Sequence, residues 1–257
     1  MASWTPFPRL GDFSYNADSL AREWARLHAG DAEPLPADPK VLAAWVLFHN
    51  GEFERAAQAG EAAGGTGITV ANKATSMYAN YLEGREKARL DLFQQAAQRA
   101  EQQTADEPEN PNAWYWYAYA TGRYSQGISV AKALALGLGG KVKDALERTI
   151  HLQPRHADAH AALGTFHAEV IDKVGSLIGG MTYGAKKETG LRMFQEALQL
   201  NPRSAIALIE YANGLVMLEG DAMFEQSTRL YQQAAAIEPL DAKEWLDVEH
   251  ARAVLEA

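Results

Sequence analysis

Four histidines between residues 151 and 167 form the one cluster in this sequence suited to metal binding or acid–base chemistry. His156, His160 and His167 are spaced by four and seven residues, so they share one stripe of a helix. A zinc site needs three or four ligands. The residues between His156 and His160 are Ala-Asp-Ala, without the glutamate of zinc-protease spacing. Helix packing and helix capping therefore explain these histidines better than metal binding or acid–base chemistry does. We expect no metal site and no catalytic residue.

The segment Gly-Leu-Gly-Gly-Lys at residues 137–141 invites comparison with a phosphate-binding loop. Such a loop needs a glycine five residues before its Gly-Lys pair and a hydroxyl residue directly after it. This chain has Ala135 and Val142 at those positions. We expect no nucleotide and no other cofactor, and we predict that the protein is not an enzyme.

A different set of side chains is suited to holding an extended peptide by ring stacking and side-chain hydrogen bonds. Its members recur at four-residue spacing on predicted helices and occupy matching positions in successive copies of a repeat: Tyr115, Tyr119, Arg123, Thr165, Glu169 and Asn213. The alternative is that this face is solvated or covered, because aromatic residues at helical spacing are often part of a core.

The repeat that would position these side chains starts at a proline. Alanine follows five residues later, tyrosine or leucine nine later, and alanine or glycine ten later, after each of Pro108, Pro154 and Pro202. A truncated copy follows Pro239. A unit that cannot bury its own apolar face must stack on its neighbours, so the pattern predicts a solenoid of helix pairs.

Turn residues and apolar periodicity divide the chain into segments of one continuous domain. The predicted segments are an extended arm at 1–16, degenerate helix pairs at 17–111, clear repeats at 112–239 with insertions at 124–140 and 170–186, and a capping helix at 240–257.

The segments Asp158–Gly164 and Glu196–Pro202 resemble the tetratricopeptide repeat, whose helix–turn–helix unit is about 34 residues long. The prolines here are 46, 48 and 37 residues apart, so two repeats are elongated. Repeats elongated in this way resemble the tetratricopeptide components of TRAP-type transporters and the regulators of microtubule dynamics. The resemblance implies an all-α, tetratricopeptide-like helical solenoid of about 12 to 14 helices with two apolar, glycine-rich insertions and a C-terminal capping helix. The transport role does not carry over, because the chain lacks a cysteine for lipid attachment.

The two insertions are apolar and rich in glycine, and exposed apolar loops usually contact something. Three alternatives are open: the insertions form a lid over an apolar pocket, they contact a partner, or they add two short helices to the core. On the first two alternatives, Leu177, Ile178 and Tyr183 would contact the ligand or partner.

Composition narrows the function classes. The net charge is −9 and no run of Lys or Arg exceeds two, so nucleic acid is not an expected partner. No apolar run reaches the roughly 20 residues that span a bilayer, and residues 1–9 lack a secretory signal pattern. We therefore expect a cytoplasmic location.

These observations predict a non-enzymatic interaction or scaffold protein that binds a peptide segment or a protein partner through the concave face of the solenoid. The partner could also be a second copy of the chain. The alternative is a binding module for a small apolar or organic-acid ligand that the two insertions enclose.

Overall fold

The computed structural model describes residues 4–257, and these residues contain helices and no β-strand. The fourteen α-helices are α1 (Ala17–Leu27), α2 (Pro39–His49), α3 (Phe53–Ala63), α4 (Gly67–Tyr81), α5 (Glu86–Asp106), α6 (Pro111–Gln126), α7 (Val130–Ala135), α8 (Leu138–Leu152), α9 (Ala157–Val174), α10 (Ser176–Tyr183), α11 (Lys187–Leu200), α12 (Ala205–Glu219), α13 (Phe224–Ala235) and α14 (Ala242–Glu256). A short 3₁₀ helix, Asp221–Met223, precedes α13.

Polar side chains start several of these helices by satisfying backbone N–H groups of the first turn. Asn16 and Ser19 form a reciprocal capping box at α1. At α6, the Asn110 side chain accepts from the backbone of the first turn, and Pro111 supplies a backbone angle that already suits a helix. Ser204 caps α12 in the same way. The turn that follows each repeat proline therefore also specifies where the next helix begins.

The chain folds into two compact units. Unit 1 comprises the described residues up to His28, then Glu33–Leu152 and Leu240–Lys243. Unit 2 comprises Ala29–Ala32, Gln153–Pro239 and Glu244–Ala257. In unit 1 the pairs are α2 with α3, α4 with α5, and α6 with α8; in unit 2 they are α9 with α11 and α12 with α13. The insertions thus supply α7 and α10, each between the two helices of a pair.

Unit 1 is built around α4, which is buried along most of its length. Arg99 of α5 ties α4 in place by donating to the Asn72 Oδ1, the Thr75 Oγ1 and the carbonyl oxygen of Ala71, at 2.7, 2.8 and 2.9 Å. Burial lowers the pKa of Arg99, and its ion pair with Glu61 opposes that shift. The N-terminal residues contact the same helix, since the Trp4 ring stacks on Tyr78 with 4.2 Å between ring centroids.

Unit 2 is built around Phe194 of α11, which is fully buried. The ring lies against Gly164 of α9 and Gly214 of α12, and a Cβ atom at Gly214 would overlap it. Because glycine has no side chain at these positions, α9 and α12 both pack directly against the Phe194 ring of α11. Tyr211 stacks on the same ring at 5.3 Å.

The repeat also includes positions before the prolines, and these are buried. Eight residues before the prolines stand large buried side chains, and five before them stand small, fully buried ones; these are Leu146, Phe194 and Tyr231, then Thr149, Ala197 and Ala234. The prediction of an all-α, tetratricopeptide-like helical solenoid of about 12 to 14 helices is confirmed.

Candidate partner-binding site

Tyr115, Tyr119 and Arg123 form a row of neighbouring side chains along α6, which we call the α6 ladder. The rings of Tyr115 and Tyr119 have centroids 6.2 Å apart, and the Arg123 guanidinium carbon lies 5.3 Å from the Tyr119 ring centroid. The Arg123 Nη1 also donates to the Gln126 Oε1 at 3.2 Å. Tyr115 is buried, whereas Tyr119 and Arg123 are half-buried. The four-residue spacing therefore brings the three predicted side chains of unit 1 together.

In unit 2, the predicted residues Thr165 and Glu169 lie one turn apart on α9. The Thr165 Oγ1 donates to the Glu210 Oε2 of α12 at 3.0 Å, and the Lys173 Nζ donates to the Glu169 Oε2 at 3.0 Å. Glu210 was not among the predicted site residues. Its signal in the sequence is its position, eight residues after a repeat proline, where the matching residues are Trp116 and Ala162.

Asn213 takes part in a contact within its own helix pair. Its Oδ1 accepts a hydrogen bond of 2.7 Å from the Tyr231 hydroxyl of α13. Burial raises the pKa of Tyr231, and the nearby charge of Glu210 adds to that shift. This side chain therefore lies against the second helix of its pair.

The insertion in unit 1 is an exposed apolar helix. Every residue of α7 is exposed or half-buried. Val130, Leu134 and the following Leu136 keep 49, 47 and 48 % of their surface exposed. The chain thus forms a short extra helix here, but its large apolar side chains do not enter the core.

The insertion in unit 2 is held by glycine and exposes its apolar residues even more. Gly179 is buried against α9, where an added Cβ would lie 2.9 Å from the Val170 Cγ1. Leu177, Ile178 and Met181 are on the opposite side of α10 and are 75, 58 and 82 % exposed. The predicted contact residue Tyr183 is half-buried, 6.2 Å from the ring of Phe166.

The histidines of the predicted stripe each bond to a different backbone group. The His156 Nδ1 accepts from the Ala159 N–H at 3.0 Å and caps α9. The His160 Nε2 lies 3.0 Å from the Pro154 carbonyl oxygen, and the His167 Nδ1 accepts from the Lys186 N–H. Among residues 4–257, no group of three or more histidine, cysteine, aspartate or glutamate side chains is placed to hold a metal ion.

A second histidine cluster, in unit 1, was missed by sequence reasoning. The Asp241 Oδ2 lies 2.6 Å from the His49 Nδ1, and the His49 Nε2 lies 3.2 Å from the His28 Nε2. We call these three buried residues the histidine chain. If the Asp241 carboxylate accepts from Nδ1–H, a neutral His49 must accept from the His28 Nε2–H. Trp24 stacks on His28 at 4.0 Å.

The histidine chain had one local signal in the sequence. A tryptophan stands four residues before each histidine, as Trp24 before His28 and Trp45 before His49. The same region buries the ammonium group of Lys73 between the rings of Trp45, Phe48 and Trp116, with its Nζ 5.2, 5.1 and 5.9 Å from the ring centroids. Such contacts between a cation and aromatic faces are attractive when desolvated.

In the described part of the chain, no helix combines the length and the apolar character needed to cross a membrane.

The sequence matches a family model described as regulator of microtubule dynamics protein 1–3 over residues 68–206, which is more than half of the chain. No curated protein sequence matches it.

Two solved structures of tetratricopeptide proteins are similar to this one. A thermophilic TPR protein of Thermus thermophilus is 14 % identical, with a TM-score of 0.58 over 83 % of this chain and 97 % of that one. YrrB, a TPR protein with an unusual peptide-binding site, is 16 % identical, with a TM-score of 0.38 over 92 % of this chain and 100 % of that one. At this level of identity the first similarity shows a shared fold, and function must be argued from the site.

Proposed function

The chain belongs to the regulator of microtubule dynamics protein 1–3 family, and from this premise we propose that it is a non-enzymatic scaffold that binds a peptide segment or a protein partner. The proposed surface is the concave face of the tetratricopeptide-like solenoid, to which the first helices of the repeats contribute. Stacked repeats of this kind present extended surfaces suited to a chain in extended conformation.

The α6 ladder is the observation that carries this proposal. Arg123 lies over the Tyr119 ring, so its planar guanidinium keeps a defined orientation with little further loss of side-chain entropy on binding. A guanidinium in this position donates in-plane hydrogen bonds to a carboxylate or to backbone carbonyl groups. Tyr119 adds a rigid ring with an apolar face and a hydroxyl group.

In unit 2, the polar residues of α9 and α12 support the same function. The Thr165 hydroxyl and the Glu210 carboxylate form one hydrogen-bonded pair, and Glu169 lies one turn further along α9. Carboxylates of this kind are suited to accept hydrogen bonds from peptide N–H groups or basic side chains. We assign Thr165 and Glu169 a direct contact with the partner. Asn213 acts indirectly, because its hydrogen bond holds Tyr231 in position.

The family description names microtubule dynamics, so polymerised tubulin is the first partner to test. In a co-sedimentation assay, we expect Tyr119→Ala combined with Arg123→Ala to weaken binding of the purified protein about tenfold or more, as loss of two central contacts usually does. Tyr119→Phe keeps the ring and should retain most of the binding.

The matched control for this experiment is Gln94→Ala with Gln95→Ala, which changes two exposed residues of α5 in the same unit. Equal loss in the control and in the ladder variant would show general damage to unit 1. Wild-type binding by the ladder variant would contradict the proposed surface. If the wild-type protein does not sediment with polymerised tubulin, tubulin is excluded and the same variants are applied to a partner captured by affinity purification.

The alternative function, a module that encloses a small apolar or organic-acid ligand, requires the insertions to close over it. Leu177 and Ile178 instead have most of their surface exposed, which favours contact with an external surface. Native mass spectrometry of the purified protein tests this alternative. A co-purified small molecule that is lost on changing Leu177 and Ile178 to aspartate would support ligand binding over the scaffold function.

A further inference from the structure

The region around α7 differs in charge from the rest of the chain. Residues 110–143 contain Arg123, Lys132, Lys141 and Lys143 and not one acidic residue. The chain as a whole has a net charge of −9, so the other 20 basic and 33 acidic residues carry −13. Charge is therefore segregated along the sequence, and a partner of negative charge would be attracted to this region while the remainder is repelled.

The same region carries apolar side chains at its tip. Ser129 caps α7 by accepting from the Lys132 N–H at 3.3 Å, and Val130 and Leu134, four residues apart, share one face of the helix. Gly137 then turns the chain with a φ of +64°, an angle that favours glycine. The base of the loop is fixed, because Leu138 at the start of α8 is buried.

Two exposed lysines belong to the same segment as this apolar tip. Lys132 and Lys141 are exposed, and the Lys132 Nζ lies 5.8 Å from the Tyr124 ring centroid. Lys143 is partly neutralised by Glu147, one turn along α8, at 2.8 Å. The α7 segment, residues 127–141, therefore presents three exposed aliphatic side chains and two exposed lysines.

We propose that the α7 segment docks on the surface of an anionic lipid bilayer. Val130, Leu134 and Leu136 insert at the boundary between headgroups and acyl chains, and Lys132 and Lys141 contact lipid phosphates. Stable binding of a peripheral protein usually needs two weak signals, an apolar one and a basic one, and this segment supplies both. The acidic remainder of the chain orients the protein with the α7 segment toward the bilayer.

Other occupants fit these features less well. An acidic peptide would pair with the lysines but leave the aliphatic side chains in water. A second copy of the chain also has a net charge of −9, so the two copies repel each other. A neutral apolar surface would contact the aliphatic side chains but would offer the lysines no negative charge. An anionic bilayer is the occupant that satisfies both the apolar tip and the surrounding cations.

The test is co-sedimentation of the full chain with vesicles of phosphatidylcholine alone or mixed with phosphatidylserine. We expect binding to the mixed vesicles only, and weaker binding as salt is raised. Each lysine near an anionic surface contributes about 1 kcal/mol, so Lys132→Gln with Lys141→Gln should weaken binding about 30-fold. Leu134→Asp should reduce it to a similar or greater extent.

Phe224→Asp is the matched control, because Phe224 is an equally exposed apolar residue, at 55 %, that lies next to acidic Glu225. Its vesicle binding should equal that of the wild type. Since α7 packs little, circular dichroism should show unchanged helicity in every α7 variant. Binding to neutral vesicles alone, no binding to either kind, or unchanged binding of Leu134→Asp would overturn the proposal. Self-association or tubulin binding that Leu134→Asp abolishes, without vesicle binding, would assign the segment to a protein partner instead.

Discussion

The two compact units bury their helix pairs with different kinds of side chain. Unit 2 packs α9, α11 and α12 around one ring, Phe194, with glycine on both flanking helices. Unit 1 buries large aromatic rings together with polar groups, including Lys73 and the histidine chain. Unit 2 also buries hydrogen-bonded histidines, but each of them bonds to a backbone group. The interior of unit 1 depends in addition on a buried ammonium group and on hydrogen bonds between buried side chains.

The insertions show a similar contrast. Both expose aliphatic side chains, but two of the three lysines next to α10 form ion pairs, Lys173 with Glu169 and Lys187 with Glu219. The α7 segment lies in a stretch without acidic residues. Apolar exposure is therefore common to both insertions, and the longer stretch without acidic residues, 110–143, belongs to α7. If vesicle binding is lost in Leu177→Asp with Ile178→Asp as well as in Leu134→Asp, this contrast does not hold.

The largest effect on stability is expected from Asp241→Ala in unit 1. The change leaves the ring N–H of His49 buried without its acceptor, which should lower the free energy of unfolding by about 3 kcal/mol. Asp241→Asn retains an oxygen that can accept this hydrogen bond and should cost clearly less. Urea unfolding followed by circular dichroism measures both. If the alanine variant loses less than the asparagine variant, the histidine chain does not stabilise unit 1.

A smaller loss is expected from Gly214→Ala in unit 2. The added methyl group overlaps the buried Phe194 ring, and overpacking of this kind usually costs about 1 to 3 kcal/mol, partly offset by the better helix propensity of alanine. Gly122→Ala on α6 is the matched control, because its new Cβ would have ordinary contacts with Val142 at 3.9 Å. That variant should be as stable as the wild type or more stable, by up to about 1 kcal/mol.

The combined variant Gly214→Ala with Phe194→Leu sharpens this result. A smaller side chain at position 194 makes room for the methyl group, so the two changes should be less destabilising together than the sum of the single changes. Additive losses would mean that Gly214 does not act through Phe194, and unit 2 would then need another explanation for its glycines.

The same contrast explains how much could be predicted from the sequence. The repeats of unit 2 follow the proline-anchored pattern, and the alanines that stand five residues after the prolines, Ala159 and Ala207, are fully buried. The histidine chain could not be predicted, because Asp241 is 192 residues from His49 and tertiary packing alone brings them together. The position of Asn213 in the repeat predicted that it lies on the binding face. In the structure its side chain accepts a hydrogen bond from Tyr231, on the second helix of the pair.

The insertions were ambiguous for a physical reason. Their apolar composition suggested burial. Helices of only six and eight residues, however, make too little contact with the neighbouring helices to bury all of their apolar side chains. In α10 the glycine face packs and the leucine, isoleucine and methionine face stays outside. Periodicity alone does not say which of two apolar faces is buried, because glycine contributes little to an apolar pattern and much to close packing.

The smallest effect is expected at Glu83, which follows α4 in unit 1. Its carboxylate accepts from the side chain and the backbone N–H of Arg85 and from the Tyr78 hydroxyl, and these bonds lower its pKa from 4.5 to about 2. The folded state therefore binds this proton less readily than the unfolded state. Its contribution to stability is complete above pH 4.5 and is lost as the pH falls toward 2.

Glu83→Gln removes this titration. We expect the variant to be less stable than the wild type at neutral pH by under about 1 kcal/mol, because the Arg85 side chain is well exposed to solvent. The difference should shrink between pH 4.5 and 2, as the wild type loses a contribution that the variant never had. Urea unfolding across this range measures the difference, and Glu188→Gln, at an exposed position of unit 2, is the control for removing one carboxylate. A difference that is constant with pH would show that Glu83 acts through packing and not through its charge.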